Sequence, residues 1–212
     1  MSKKRSITAS SVLRAAVQVF FLVAGIVLLV AGKLQMWFAV FAVGVLASPF
    51  VGRVYCGWAC PMNTLFRPVA WFYKKTGLKR IQISWTKKIY LLRFLPLALF
   101  VAVMIITRRS QLPVPVLALI TVLSFVVTLF FEEAVWHNLM CPFGTILSLT
   151  AKKTLRTYRV EPSGCIACGK CQTVCPVHAI DILEDGKRSI RKNDCISCGK
   201  CVHSCPVKVI SW

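Results

Sequence analysis

Cys165-Ile166-Ala167-Cys168-Gly169-Lys170-Cys171-Gln172-Thr173-Val174-Cys175-Pro176 returns thirty residues later as Cys195-Ile196-Ser197-Cys198-Gly199-Lys200-Cys201-Val202-His203-Ser204-Cys205-Pro206. Each run is C-x2-C-x2-C-x3-C-P. Three thiolates on one short loop reach three irons of a cubane, and Gly169 and Gly199 let the backbone curl around it. The fourth cysteine points away and completes the cluster of the other run. The spacing therefore assigns Cys165, Cys168, Cys171 and Cys205 to one [4Fe–4S] cluster, and Cys195, Cys198, Cys201 and Cys175 to a second. Zinc, held by four thiolates per ion, is the alternative that the doubled run argues against. Clusters with a purely structural role are a narrower one. Regular spacing of reduced thiols also argues against a disulfide framework and places this part in the cytoplasm.

The double run resembles the bacterial two-cluster ferredoxin over roughly residues 160–212. That resemblance implies a βαβ-βαβ fold with clusters close enough to exchange electrons. So short a domain has little core, so the clusters also stabilise it. His178 and His203, beside the cluster loops, read as surface or supporting residues.

Working outward, the rest of the chain is apolar and basic. Of 212 residues, 57% are hydrophobic and 16% charged, with a net charge of +20. Residues 1–160 carry twenty of the twenty-seven Lys and Arg against only Glu132 and Glu133, a net of +18. Such a total can signal nucleic-acid binding, but here the positive charges flank apolar runs, which is a membrane topology pattern. Those runs are Ala15 to Gly32, Leu34 to Gly52, Ile89 to Thr107 and Gln111 to Phe131, the third with Arg93 snorkelling at its start. The expected fold class is an α-helical membrane protein of four transmembrane helices in two parallel-repeat hairpins, plus a small α+β ferredoxin-like domain. The expected division is 1–159 and 160–212. A cleaved signal peptide is disfavoured, since the first run is long, lacks a small-x-small site and is followed at once by a second.

Basic residues set the orientation. Segment 53–88 holds Arg53, Arg67, Lys74, Lys75, Lys79, Arg80, Lys87 and Lys88 without an acid, and Lys3, Lys4, Arg5 and Arg14 precede the first run. Both termini and this loop are expected in the cytoplasm of a prokaryotic membrane protein. The loop also suits anionic lipid. Trp37 reads as an outer interface anchor, and Trp58, Trp71, Trp85 and Trp136 as inner ones. Two loaded clusters would add about −4 to the +2 of the C-terminal part, favouring a salt-sensitive docking of that domain on the basic membrane face.

A second repeat lies in the membrane part. Tyr55-Cys56-Gly57-Trp58-Ala59-Cys60-Pro61 matches Trp136-His137-Asn138-Leu139-Met140-Cys141-Pro142 at an offset of 81. Cys56, Cys60, His137 and Cys141 are thus candidates for a third metal or iron–sulfur site. A Cys56–Cys60 disulfide couple and a structural role are the alternatives. Around these motifs nearly the whole chain resembles the membrane iron–sulfur subunits of quinol-oxidising systems, the NapH type and the membrane part of the NosR type. The resemblance implies four transmembrane helices, two cytoplasmic C-x3-C-P motifs and a C-terminal two-cluster ferredoxin domain. The second motif departs from the family pattern, with His137 in place of its first cysteine. Glu132 and Glu133, at the end of the fourth run, are expected to pair with nearby basic residues such as Arg53 or Arg67, or to accept quinol protons.

The chain shows no nucleotide fingerprint, haem-attachment motif or substrate-converting site. The expected function is membrane-bound electron transfer between a membrane donor, quinol or a partner membrane protein, and a redox partner subunit of a larger complex. The alternative is a maturation factor supplying electrons or metal to a metalloenzyme. No nucleic-acid partner is expected.

Overall fold

The computed structural model describes residues 9–82, 91–111 and 115–212. Lys3, Lys4, Arg5, Trp85, Lys87, Lys88, Ile89 and Pro113, used in the sequence reading, lie outside them. Two helices are long and apolar enough to cross a membrane: α1 (Ala9–Val30) and the stretch Leu34–Val51, which contains α2 (Trp37–Val51). Few of their residues are buried, which suits helices that face lipid better than the helices of a soluble core. Over the other two expected spans run α3 (Phe94–Arg109) and α4 (Val116–Phe130), of 16 and 15 residues. At 1.5 Å per residue these reach about 22–24 Å, short of the ~30 Å hydrocarbon core.

Each membrane-surface motif leads into a further helix: α5 (Pro61–Thr76) after the first and α6 (Pro142–Thr150) after the second. Proline at their first turn needs no amide partner and presets the helical φ. α5 packs on α1 and α4, whereas α6 packs on α3 and α2. Each helix thus contacts the first arm of its own hairpin and the second arm of the other. The sequence repeat has become a spatial exchange between halves.

The C-terminal part has the order β1 (Arg159–Val160), α7 (Lys170–Thr173), β2 (Ile180–Ile182), β3 (Arg188–Ile190), α8 (Lys200–Ser204), β4 (Ile210–Ser211). β1 pairs antiparallel with β4, and β2 with β3. Its own small core is Cys171, Ile180, Cys201 and Ile210. Val177, Ala179 and Ile196, however, belong to a larger core with Tyr55, Phe66, Trp136, Phe143 and Leu147 of the membrane part. The two parts share one apolar interior.

At the centre of this junction lies Asp194, 1% exposed. Its Oδ1 lies 3.5 Å from Arg93 Nη1 and 3.9 Å from Arg53 Nη1, and accepts from Ser148 Oγ at 3.2 Å. Its Oδ2 accepts from Arg191 Nε at 3.0 Å. Arg93 is therefore buried and does not snorkel, and it also donates to Ser148 Oγ at 2.9 Å. Trp37 is likewise no outer anchor. It is buried and donates to the Tyr55 hydroxyl at 2.7 Å. Trp136 is buried too, while Trp71 is exposed beneath Lys75.

Removing the Asp194 carboxylate strands two buried guanidinium groups. Asp194→Ala is expected to lower the stability of the junction by about 3–5 kcal/mol, read from thermal unfolding of the full chain. Asp185→Ala, at an exposed carboxylate paired with Lys187, should leave the transition where it is.

Candidate functional site

The ferredoxin-like loops enclose two recesses. One is lined by Cys165, Cys168, Cys171 and Cys205 together with Ile166 and Val207. The other is lined by Cys175, Cys195, Cys198 and Cys201 together with Val177 and Ile196. In each, three cysteines come from one run and the fourth from the other. The backbone makes this possible with left-handed residues. Gly169 and Gly199 have φ of 73° and 68°, the role expected of glycine. Ala167 and Ser197, at 56° and 54°, and His178 and Lys208, at 47° and 55°, do the same without being glycine. Sequence reasoning missed these four. Their signal was positional: members of each pair lie thirty residues apart, in corresponding places of the two runs.

Without metal, burial pushes the Cys175 thiol up to about 11 and raises Cys171, Cys195 and Cys201 as well. Loading with iron would remove those protons, so assembly is coupled to proton release. The donor set, four thiolates around an apolar-walled recess, fits a cubane.

The two repeated motifs share an unusual turn. The Cys60 amide donates to Tyr55 O at 2.9 Å, and the Cys141 amide to Trp136 O at 2.8 Å. Both are five-residue, π-type bonds. Cys141 Sγ then accepts from the Gly144 amide at 3.3 Å. Cys56, Cys60 and Cys141 lie near enough to influence one another. Burial raises all three thiols, Cys141 to about 12. They are therefore neutral at pH 7, unlike the partly exposed thiolates of reactive dithiols.

His137 makes different contacts. Its ring lies edge-on to Phe66 at 5.5 Å, its Nε2 is buried without a hydrogen-bond partner, and burial followed by Arg53 and Lys200 lowers its pKa to about 3. The expected Cys56–Cys60–His137–Cys141 metal site is thus not supported, because the imidazole is occupied with aromatic packing. Arg53 fills the space instead: fully buried, it donates to His137 O at 3.1 Å and points another N–H at Cys56 Sγ, 4.0 Å away.

Between α1, α2 and α4 lies an apolar cavity of about 240 Å³. Tyr55, Cys60, Trp37, Phe143 and Ala118 are on its wall. The acidic pair has basic partners as expected, though Arg80 and His178 take the places of Arg53 and Arg67. Glu133 pairs with Arg80 at 3.7 Å, and Glu132 pairs with His178 at 3.1 Å and accepts from Gln82 at 2.7 Å. His178 is therefore a junction residue as well as a loop residue.

Residues 158–212 match the family model described as a 4Fe-4S dicluster domain. Residues 34–79 and 113–160 match twice the model described as a 4Fe-4S binding domain, each copy holding one membrane-surface motif. An uncharacterized protein of Methanocaldococcus jannaschii is 27% identical over 142 residues, 64% of this chain and 56% of the relative. The methylamine utilization ferredoxin-type protein MauN of Methylorubrum extorquens is 28% identical over 58% of this chain and 47% of its own length. The ferredoxin-type protein NapH of Haemophilus influenzae is 28% identical over the same shares. The chain thus spans about half the length of these relatives. No solved structure matches. Two cysteine-lined recesses, two copies of the membrane motif and these likenesses together support a NapH-like iron–sulfur protein with a C-terminal ferredoxin domain.

Proposed function

We propose that this chain is a membrane-bound electron-transfer subunit that relays electrons between a quinol and a redox partner protein. The observation that carries this is the pair of recesses, each gathering four cysteines in the interleaved order. Cys165, Cys168, Cys171 and Cys205 would hold one [4Fe–4S] cluster, and Cys175, Cys195, Cys198 and Cys201 the other. Each cluster supplies a one-electron couple, and a quinol releases two electrons and two protons on oxidation. The apolar cavity beside Tyr55 and Cys60 suits the ring of a lipid-soluble quinone. Residues 1–159 form the membrane part with four spans, and 160–212 form the cytoplasmic domain, with both termini inside. The exposed apolar faces of α1 and α2 and the basic loop after Gly52 support that topology.

Anaerobically purified protein should contain about eight irons and eight sulfides per chain. Cys198→Ala should cut both by about half, and His137→Ala should leave them unchanged. Iron near zero in the parent protein overturns the proposal. Filling the cavity with Ala118→Trp should abolish reduction of the clusters by a soluble quinol analogue while dithionite still reduces them.

A further inference from the structure

The two four-cysteine recesses are near copies in sequence, yet the membrane part treats them differently. Ile196 is 1% exposed, whereas its counterpart Ile166 is 59% exposed. Val177, after Cys175-Pro176, is 1% exposed, whereas its counterpart Val207, after Cys205-Pro206, is 41% exposed. Ile196 and Val177 line one recess and Ile166 and Val207 the other.

The residues that make this choice come from the paired membrane motifs. At Gly57 a Cβ atom would sit 2.0 Å from the carbonyl oxygen of Ile196, so only hydrogen fits and the two backbones touch. Next to it, Trp58 Nε1 donates to Ser197 O at 3.0 Å. Asn138, the repeat counterpart of Gly57, donates through Nδ2 to Val177 O at 2.6 Å. Both loop carbonyls would otherwise be buried acceptors without donors. We propose that Gly57, Trp58 and Asn138 are positioning residues that clasp the Cys175/Cys195/Cys198/Cys201 loops, making that set the inner one and leaving Cys165/Cys168/Cys171/Cys205 as the outer one.

A nearly symmetric domain needs a mark that tells its two faces apart. Asp194 immediately precedes Cys195, and the residue preceding Cys165 is Gly164. Turning the domain over would offer Arg53 and Arg93 a glycine in place of the carboxylate. Asp194 is thus the orientation mark, and the clasp holds the face it selects. The inner set is the one held against the motif that carries Cys56 and Cys60.

The proposal rests on the reading that both sets hold clusters. It is tested on the full chain in lipid nanodiscs, reduced with dithionite, by EPR relaxation with a water-soluble gadolinium chelate. Cys168→Ala leaves the inner signal and Cys198→Ala the outer one, so the two are read separately. The outer signal should relax strongly and the inner one weakly. In Gly57→Val, and in Trp58→Phe combined with Asn138→Ala, the contrast should be lost while the iron content of the parent is retained. Should Gly57→Val prevent cluster assembly, the polar double variant decides. Equal relaxation of the two signals in the parent background, or a contrast that survives the double variant, overturns the clasp. A parent chain without any cluster signal overturns the underlying reading instead.

Discussion

Asp194 is a carboxylate taken out of water together with the guanidinium groups of Arg53 and Arg93, and the junction of the two parts is arranged around it. Desolvating such groups costs several kcal/mol per ion, and only close, well-satisfied geometry offsets this. Ser148 Oγ and Arg191 Nε supply that satisfaction. The sequence suggested docking of a slightly negative domain on a basic face, an attraction that salt should weaken. Exposed attraction of that kind is screened within a Debye length. A sealed pair beside a shared apolar core is screened far less, so the C-terminal part is a fixed component of the membrane part and not a tethered visitor.

Fixing the domain has a second consequence, because Arg53 looks both ways. One edge of its guanidinium faces Asp194, next to Cys195. Another faces Cys56 and the backbone of His137. The cation thereby joins the cluster-loop region to the thiol-rich turn at the membrane surface. A lysine could not reproduce this, since its compact ammonium lacks a planar fork able to serve separate acceptors.

What the sequence revealed divides along a physical line. Features set by local spacing were readable: the gathering of the cysteines four by four around two recesses, the left-handed Gly169 and Gly199, the prolines opening α5 and α6, and the repeat at offset 81. Features set by what the chain meets after folding were not. Arg93 looked like a snorkelling residue because its partner lies a hundred residues away in Asp194. Trp37 resembled an interface anchor because its indole partner, the Tyr55 hydroxyl, is brought back by the short helix Val54–Trp58. That Glu132 and Glu133 would find basic partners was legible, but that these are Arg80 and His178 was not, for the same reason. The four non-glycine left-handed residues escaped notice because side-chain type opposes that conformation, and only the pull of the recess overrides it.

The membrane motifs show how a ligand-like pattern can serve packing. Cysteine at i and i+4 with proline following looks like a chelating face. Yet a thiol is also a small apolar group that tolerates burial, and Cys141 closes a helix start by accepting the Gly144 amide. The π-type turn before it shifts the register by one residue relative to an α-helix, so His137 and Cys141 need not share a face. The same turn recurs before Cys60, where position 57 is bare enough for a foreign carbonyl to approach. Repetition of the turn, more than repetition of the ligands, is what both copies have in common. The substitution of histidine for cysteine at 137 is then intelligible: an imidazole can pack on Phe66 there without disturbing the turn that follows it.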